Sequence, residues 1–188
     1  MDLVIAIGGD GTLHEVFNGL ILKNGHKIEG HIPVAIIPMG SGNALYTTCR
    51  QNFKMYGKEV SIYDDLTTHM VWSVDSINAG YVSGMDVAEV HFNGRKLAAI
   101  SNVFCGFGAD IDMIAEPFRW MGNVRFDIAA MWQICRLPPC FGSLTLTHLD
   151  DSVEELPMGS FIGFTVSLCQ HWDETMRTTP PVILDDGT

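Results

Sequence analysis

The chain has 188 residues, 22 acidic against 11 basic, and a formal net charge of −11. Its residues are 47% hydrophobic and 18% charged, against about 25% charged in an average soluble domain, so it has ample material for a packed core and disorder is excluded as its main state. The acid excess excludes non-specific nucleic-acid binding, which needs clustered Lys and Arg, and attraction to an anionic membrane by bulk charge. Anions or lipids must be handled by local groups.

The length suits one sizeable domain or two small lobes. The five cysteines (Cys49, Cys105, Cys135, Cys140 and Cys169) form an odd, scattered set with no zinc-ligand spacing. They predict reduced, mostly buried thiols. No basic region follows the first Met, so no signal peptide is expected. The longest uncharged stretch, His31 to Cys49, is broken by prolines and glycines and is no membrane span. The expectation is a cytoplasmic protein without a transmembrane segment, at most peripheral at membranes.

Leu3 to Ile7 is a continuous apolar run, which predicts a strand buried on both faces in a parallel sheet. Gly8-Gly9-Asp10-Gly11-Thr12 follows, and then Leu13, Val16, Phe17, Leu20 and Ile21 recur on one helical face. Thr12 and Glu15 have the spacing of a capping box that would start the helix, and Asn24-Gly25 would stop it. Strand, glycine loop and helix N-terminus together make a phosphate-binding geometry. Asp10 is the odd member, because a carboxylate beside a phosphate is repelled unless it has a task. It can accept a proton from an attacking hydroxyl, or hold a magnesium ion, or merely satisfy the backbone of a tight turn.

His31 to Pro38 reads as a second buried strand with prolines near its ends. Met39-Gly40-Ser41-Gly42-Asn43 is a second glycine loop, and a helix begins at Ala44. Two such units place both loops at the carboxyl edge of one sheet, where ligands bind in such folds.

The segments GGDGTLHEVFNGL (8–20) and PMGSGNAL (38–45) resemble the catalytic domain of the diacylglycerol kinase superfamily, with the sphingosine kinases as the nearest branch. Gly-Gly-Asp-Gly is shared with nicotinamide-nucleotide kinases and phosphofructokinases, and the Gly-Ser-Gly-Asn-Ala-Leu narrows the likeness to lipid kinases. The resemblance implies that Asp10 is the general base for the lipid hydroxyl. It implies that Gly8, Gly9, Gly11, Thr12, Gly40, Ser41, Gly42 and Asn43 line the phosphates of ATP, with Mg²⁺ as the accompanying ion. Gly8 departs from the Ser that sphingosine kinases often carry there.

Beyond a loop and a helix through Asp64 to His69, the runs Val71 to Ile77, Met85 to Phe92 and Arg95 to Phe104 read as strands. Asn93-Gly94 is a hairpin turn between the last two. The expected fold is α/β: a Rossmann-like, phosphofructokinase-like nucleotide half at 1–70, then a mainly antiparallel β lobe with inserted helices at 71–188. In Ala109-Asp110-Ile111-Asp112, the acids could edge an apolar pocket or cap a helix over Met113 to Met121. Arg119 and Arg125, either side of Gly122-Asn123, could clamp a polyphosphate or form surface ion pairs. In the helix that follows, Ile128, Met131, Trp132 and Cys135 would be core or would line a lipid channel. Phe161 to Leu168 reads as a further strand.

GFGADIDMIAEPFRWMGNVRFD (106–127) is similar to the sphingosine kinase segment Ala-Asp-x-Asp, acidic helix, Arg-Trp-x-Gly-x-x-Arg. By that resemblance Asp112 would meet the amine and hydroxyl of a sphingoid base, and Arg119 and Arg125 the ATP phosphates. Asn102 stands where the family has a small hydroxyl residue near the headgroup, and Glu15 is a further lipid-side candidate. Asp186 and Gly187 resemble a late acid–Gly motif that returns to the nucleotide. The resemblance implies a kinase core incomplete at both ends. It would phosphorylate a long-chain base, or another lipid, presented from a membrane surface. The alternatives are a diacylglycerol or ceramide kinase, or a non-catalytic lipid- or nucleotide-binding fragment.

Overall fold

A computed structural model describes residues 3–23, 32–54, 65–148, 150–174, 176, 177 and 184. The chain forms two compact units, Met1–Asn102 with Ser167–Thr188, and Val103–Val166.

The first unit opens with β1 (Val4–Gly8), α1 (Asp10–Lys23) and β2 (Val34–Pro38). The strands pair in parallel from Val4↔Val34 to Gly8↔Pro38, as a β–α–β unit requires. This register puts the two glycine loops side by side at one edge. Helix α1 buries the face that its apolar spacing predicts. Leu13 is 1% exposed and joins Ala6, Leu45, Ile100, Cys169 and Leu184 in the core, with Val16 and Phe17 packed against it. Strand β1 is not buried on both faces, since Ile7 is 61% exposed and Ile5 is exposed too. Among the described residues the β1–β2 sheet has two strands, and α1 packs against β1. The capping box is also not formed. Helix α1 starts two residues before Thr12, at Asp10, with Leu13 N–H donating to Gly9 C=O at 3.1 Å.

Helices α2 (Ala44–Lys54) and α3 (Leu66–Asn78) follow. Residues 71–77 are therefore helical rather than a strand. Asp65 caps α3, accepting from the Thr68 N–H at 2.8 Å, a bond worth about 1 kcal/mol in comparable helices. His69 and Ser73, four apart on one face, are buried, and the edge of the His69 ring meets the Tyr46 ring at a centroid distance of 5.7 Å. Arg50, 2% exposed, lies with them, its Nη1 2.8 Å from His69 Nδ1.

The hairpin β3 (Ala88–Phe92) and β4 (Arg95–Ala99) turns at Asn93-Gly94, both with positive φ (49° and 73°), as a tight hairpin turn demands. It belongs to the first unit, not to a lobe starting at 71. The reason is a clamp from α1, in which Asn18 Nδ2 donates to Ala98 C=O and Asn18 Oδ1 accepts from Ala98 N–H, both at 2.9 Å. The chain from 167 onward also returns to this unit, where Leu168 N–H donates to Ser101 C=O.

The second unit contains most of β5 (Asn102–Gly106) and of its partner β8 (Gly163–Ser167). It also holds α4 (Phe107–Ala115), a 3₁₀ turn over Glu116–Met121, α5 (Val124–Arg136), and the antiparallel hairpin β6 (Cys140–Thr147) and β7 (Val153–Phe161). Helix α4 begins at Phe107 with Gly106 at its N-cap position, so neither Asp110 nor Asp112 starts it. Gly106 (φ 77°) and Gly163 approach too closely for side chains, since a Cβ on Gly163 would lie 2.5 Å from Cys105 C=O. Ile128, Met131 and Trp132 on α5 are exposed. Cys169 is buried, Cys49 and Cys140 are half-buried, and Cys105 and Cys135 are exposed, so the thiols are free but not mostly buried. Among the described residues no helix is long and apolar enough to cross a membrane.

Replacing Asn18 with Leu removes both bonds and leaves the Ala98 amide and carbonyl unsatisfied. The expected loss is about 2–3 kcal/mol, read as a fall in the midpoint of urea unfolding.

Candidate active site

Asp10 opens α1, but its carboxylate serves α2. Oδ2 accepts the Ala44 N–H at 2.9 Å and Oδ1 accepts the Leu45 N–H at 3.0 Å. These are first-turn donors of α2, which have no partner within their own helix. The helix terminus thereby holds a negative charge that would otherwise be repelled from a phosphate site. Each oxygen keeps lone-pair capacity for another donor.

The glycines divide into two kinds. A Cβ on Gly9 would lie 2.8 Å from Gly40 Cα, and one on Gly40 would run into Gly9 Cα, so these two glycines let the loops touch. A Cβ on Gly42 would lie 3.2 Å from Asp10 Oδ2, and one on Gly8 would meet Thr12 Oγ1 at 2.5 Å. A Cβ on Gly11 would meet nothing within 4 Å, so that face of the α1 first turn is open.

Asn43 is 2% exposed, with φ 50°. Its Oδ1 accepts from Gly40 N–H, and its Nδ2 donates to Gly40 C=O, both at 2.9 Å. The same Nδ2 donates to Glu174 Oε1 at 2.6 Å. Asn43 therefore works inside the second loop and is not open to a ligand. Met39 N–H is taken by Gly8 C=O. Among the described residues, the amides of Asp10, Gly11 and Thr12 in α1, and of Ser41 and Gly42 in the second loop, have no acceptor. Ser41 is exposed. Two short rows of N–H groups thus flank the Asp10 carboxylate, an arrangement suited to phosphate oxygens. Glu15 is exposed on α1.

In the second unit, Asp110 Oδ2 accepts from the buried Gln133 Nε2 at 2.8 Å, so this acid ties α4 to α5. Asp112 is more than a third exposed, yet the protein crowding its carboxyl raises it above the usual carboxylate range. Arg125 pulls it down and Glu116 pushes it up. Arg125 lies over the Phe126 ring at 4.5 Å, and its buried Nε has no partner among the described residues. Arg119, with its side chain 72% exposed, pairs with Glu116 at 2.7 Å. Each arginine thus has a different neighbour.

Asn102 Nδ2 donates to His171 C=O at 2.8 Å, while its buried Oδ1 has no partner among the described residues. Asp186 and Gly187 lie outside the described residues. The structure therefore brings Gly9, Asp10, Gly40, Gly42 and Asn43 together in one unit, and Asp112 and Arg125 together in the other. Two residues of the first site, Glu174 and the Asn43 amide it holds, carry no local signal of this role in the sequence.

The described residues contain no group of three or more His, Cys, Asp or Glu able to hold a metal ion. The free amides suit a triphosphate. They form no protein cage for Mg²⁺, which would be held chiefly by the phosphates themselves.

Gly40→Ala forces the two loops apart and is expected to cost about 1–3 kcal/mol, of the order of other overpacking substitutions. Gly11→Ala meets open space in a helix and is expected to leave stability unchanged or raise it by up to about 1 kcal/mol. Denaturant midpoints of the two variants check both.

Residues 1–89 match the diacylglycerol kinase catalytic domain. Sphingosine kinase 1 of Arabidopsis thaliana is 32% identical over 143 residues, covering 76% of this chain and 27% of that protein. Sphingosine kinase 1 of Homo sapiens is 28% identical over 144 residues, 76% of this chain and 36% of its own. Sphingoid long chain base kinase 5 of Saccharomyces cerevisiae is 32% identical over 136 residues, 71% of this chain and 18% of its own. The matches thus span well under half the length of these relatives. The crystal structure of a proposed diacylglycerol kinase from Bacillus anthracis str. Sterne superposes with a TM-score of 0.59 at 22% identity. It covers 99% of this chain and 51% of that one, a likeness of mixed α/β fold. Residues 1–89 thus match the diacylglycerol kinase catalytic domain, and about three quarters of the chain is similar to sphingosine kinases.

Proposed function

We propose that this chain is the core of an ATP-dependent lipid kinase acting on the primary hydroxyl of a long-chain sphingoid base and giving its 1-phosphate. The observation that carries the reading is the Asp10 carboxylate. It is held by two α2 amides, with capacity left on each oxygen, between two rows of N–H groups that have no acceptor among the described residues.

As the lipid oxygen attacks the γ-phosphorus, its proton passes to Asp10, and the bond from phosphorus to the ADP oxygen breaks. Charge spreading over the γ-phosphoryl oxygens is met by preorganised amides of Gly11, Thr12, Ser41 and Gly42, which need no rearrangement. Mg²⁺ bound to the phosphates would neutralise further charge. The close packing of Gly8, Gly9 and Gly40 and the internal bonds of Asn43 keep these amides in place. In this reading 1–70 is the Rossmann-like nucleotide portion of the first unit, and the second unit, Val103–Val166, receives the lipid from a membrane surface. Family likeness assigns Arg119, Arg125, Asp186 and Gly187 to the nucleotide, and Asp112, Asn102 and Glu15 to the lipid.

Asp112 supports an amino headgroup. A carboxylate whose charged form is disfavoured by its surroundings gains most from an incoming ammonium. A neutral diacylglycerol or an amide-linked ceramide offers no such charge.

The purified chain, given labelled ATP and separately sphingosine, diacylglycerol or ceramide, is expected to label sphingosine fastest. Equal labelling of all three would reject the substrate reading. Asp10→Asn is expected to lower kcat by about 10²–10⁴-fold, the range for a lost general base, and to cost about 1 kcal/mol in stability through the weakened α2 cap. A full rate in Asp10→Asn would reject the mechanism. Asp112→Ala is expected to lower kcat/KM for sphingosine by about 10–100-fold, the worth of a hydrogen bond to a charged group, with much less effect on diacylglycerol.

A further inference from the structure

We infer that Glu174, on the segment that returns to the first unit after β8, is the positioning residue of the second glycine loop. The inference rests on the kinase reading for its functional consequence, but its geometry stands by itself.

Asn43 is the loop's internal brace. Its amide oxygen holds Gly40 N–H and its amide nitrogen holds Gly40 C=O, while its backbone carbonyl accepts from Thr47 N–H at 2.9 Å. An Asn amide can be turned end for end at little intrinsic cost, and turning it would set like groups against each other at both Gly40 atoms. A carboxylate accepts and cannot donate, so Glu174 Oε1 at 2.6 Å admits only the orientation with nitrogen toward it. That orientation consumes Gly40 N–H and leaves Ser41 and Gly42 as the loop's amides without an acceptor among the described residues. The hydrogen bond is charge-assisted and its donor is buried, which places it among the stronger kinds.

The same segment packs on the loop through its backbone, since Trp172 C=O would lie 3.7 Å from a Cβ on Gly42. Asp173 Oδ1 accepts Met176 N–H at 2.7 Å, which braces the turn that carries Glu174. Since a Cβ on Gly42 would also come within 3.2 Å of Asp10 Oδ2, a displaced loop bears directly on the base. Glu174 acts through Asn43 and touches no reacting atom. Its loss should weaken the hold on nucleotide phosphates more than it slows the chemistry.

The test uses the full chain with Glu174→Ala, Glu174→Gln and Glu174→Asp. Amide hydrogen exchange followed on peptides spanning 39–45 is expected to quicken about tenfold or more in Glu174→Ala and in the shorter Glu174→Asp. Glu174→Gln, which keeps an acceptor oxygen at the same reach, is expected to restore protection. Peptides from 103–166 should not change. Unaltered exchange at 39–45 in both Ala and Asp variants would overturn the proposal, whether or not the chain turns over ATP. If Glu174→Ala does not fold, the Asp and Gln pair decides the matter. Where wild type is active, KM for ATP is expected to rise about tenfold in Glu174→Ala with kcat within about threefold, and to return with Gln. A fall in kcat alone would overturn the positioning role. An inactive wild type with the expected exchange pattern would reject the kinase reading and leave the positioning role standing.

Discussion

Everything at the candidate site depends on one interaction, the Asp10 carboxylate receiving the first two amides of α2. A helix N-terminus with free donors is a natural anion site, and this chain has two such termini, α1 and α2, meeting at neighbouring loops. If both were open, they would compete for the same phosphates, and Asp10 would repel whatever they bound. Placing the carboxylate on α2 removes both problems. The charge of Asp10 is compensated by a helix end, and α1 with the Ser41-Gly42 stretch is left to face a ligand. The residue that begins one helix thus caps the next, and the relative position of α1 and α2 follows from that bond.

The close approach of Gly9 and Gly40 serves the same end by packing. Parallel pairing of β1 and β2 ends at Gly8↔Pro38, and Met39 N–H continues the ladder to Gly8 C=O at 3.0 Å. The loops therefore leave the sheet side by side, and any side chain at Gly9 or Gly40 would separate them. These glycines do not need a phosphate to explain them. Gly11 has no such packing reason, and its open surroundings leave room for one. A motif read as a uniform phosphate cradle resolves into packing glycines, one open glycine, and an Asn that is wholly internal.

How much of this was legible in the sequence follows the range of the interaction responsible. Strands β1 and β2, the buried face of α1 and the Asn93-Gly94 turn rest on local patterns, and they stand where those patterns put them. Helix α3 does not, because Val71-Trp72-Ser73-Val74 mixes apolar and polar residues as a strand does. What makes it helical is the Asp65 cap and the burial of His69 and Ser73 beside Tyr46. The boundary near residue 70 differs from the observed units for a related reason. Asn18 holds Ala98 from 80 residues away, so the hairpin that looked like the start of a new lobe is fastened to α1. Glu174 is more distant still, bonding Asn43 across 131 residues, and nothing beside it in the chain marks it. The two acids of Ala-Asp-x-Asp separate only in three dimensions, one tied to Gln133 and the other set near Arg125.

The charge arithmetic acquires a different meaning once these partners are known. A net charge of −11 describes the whole chain, whereas a phosphate responds to the groups within a few ångströms of it. Among the described residues, two acids at the loops are each occupied. Asp10 is compensated by α2, and Glu174 by the Asn43 amide. Burial drives the Tyr46 hydroxyl up to about 12, against the lowering by the Ser73 hydrogen bond and by Arg50, and Glu174 adds a smaller rise. The local field at the loops is therefore set by backbone amides, fixed dipoles that carry no counter-charge and do not reorganise. An acidic protein can hold a triphosphate on such a surface without a basic patch, provided that every nearby carboxylate has already found its donor.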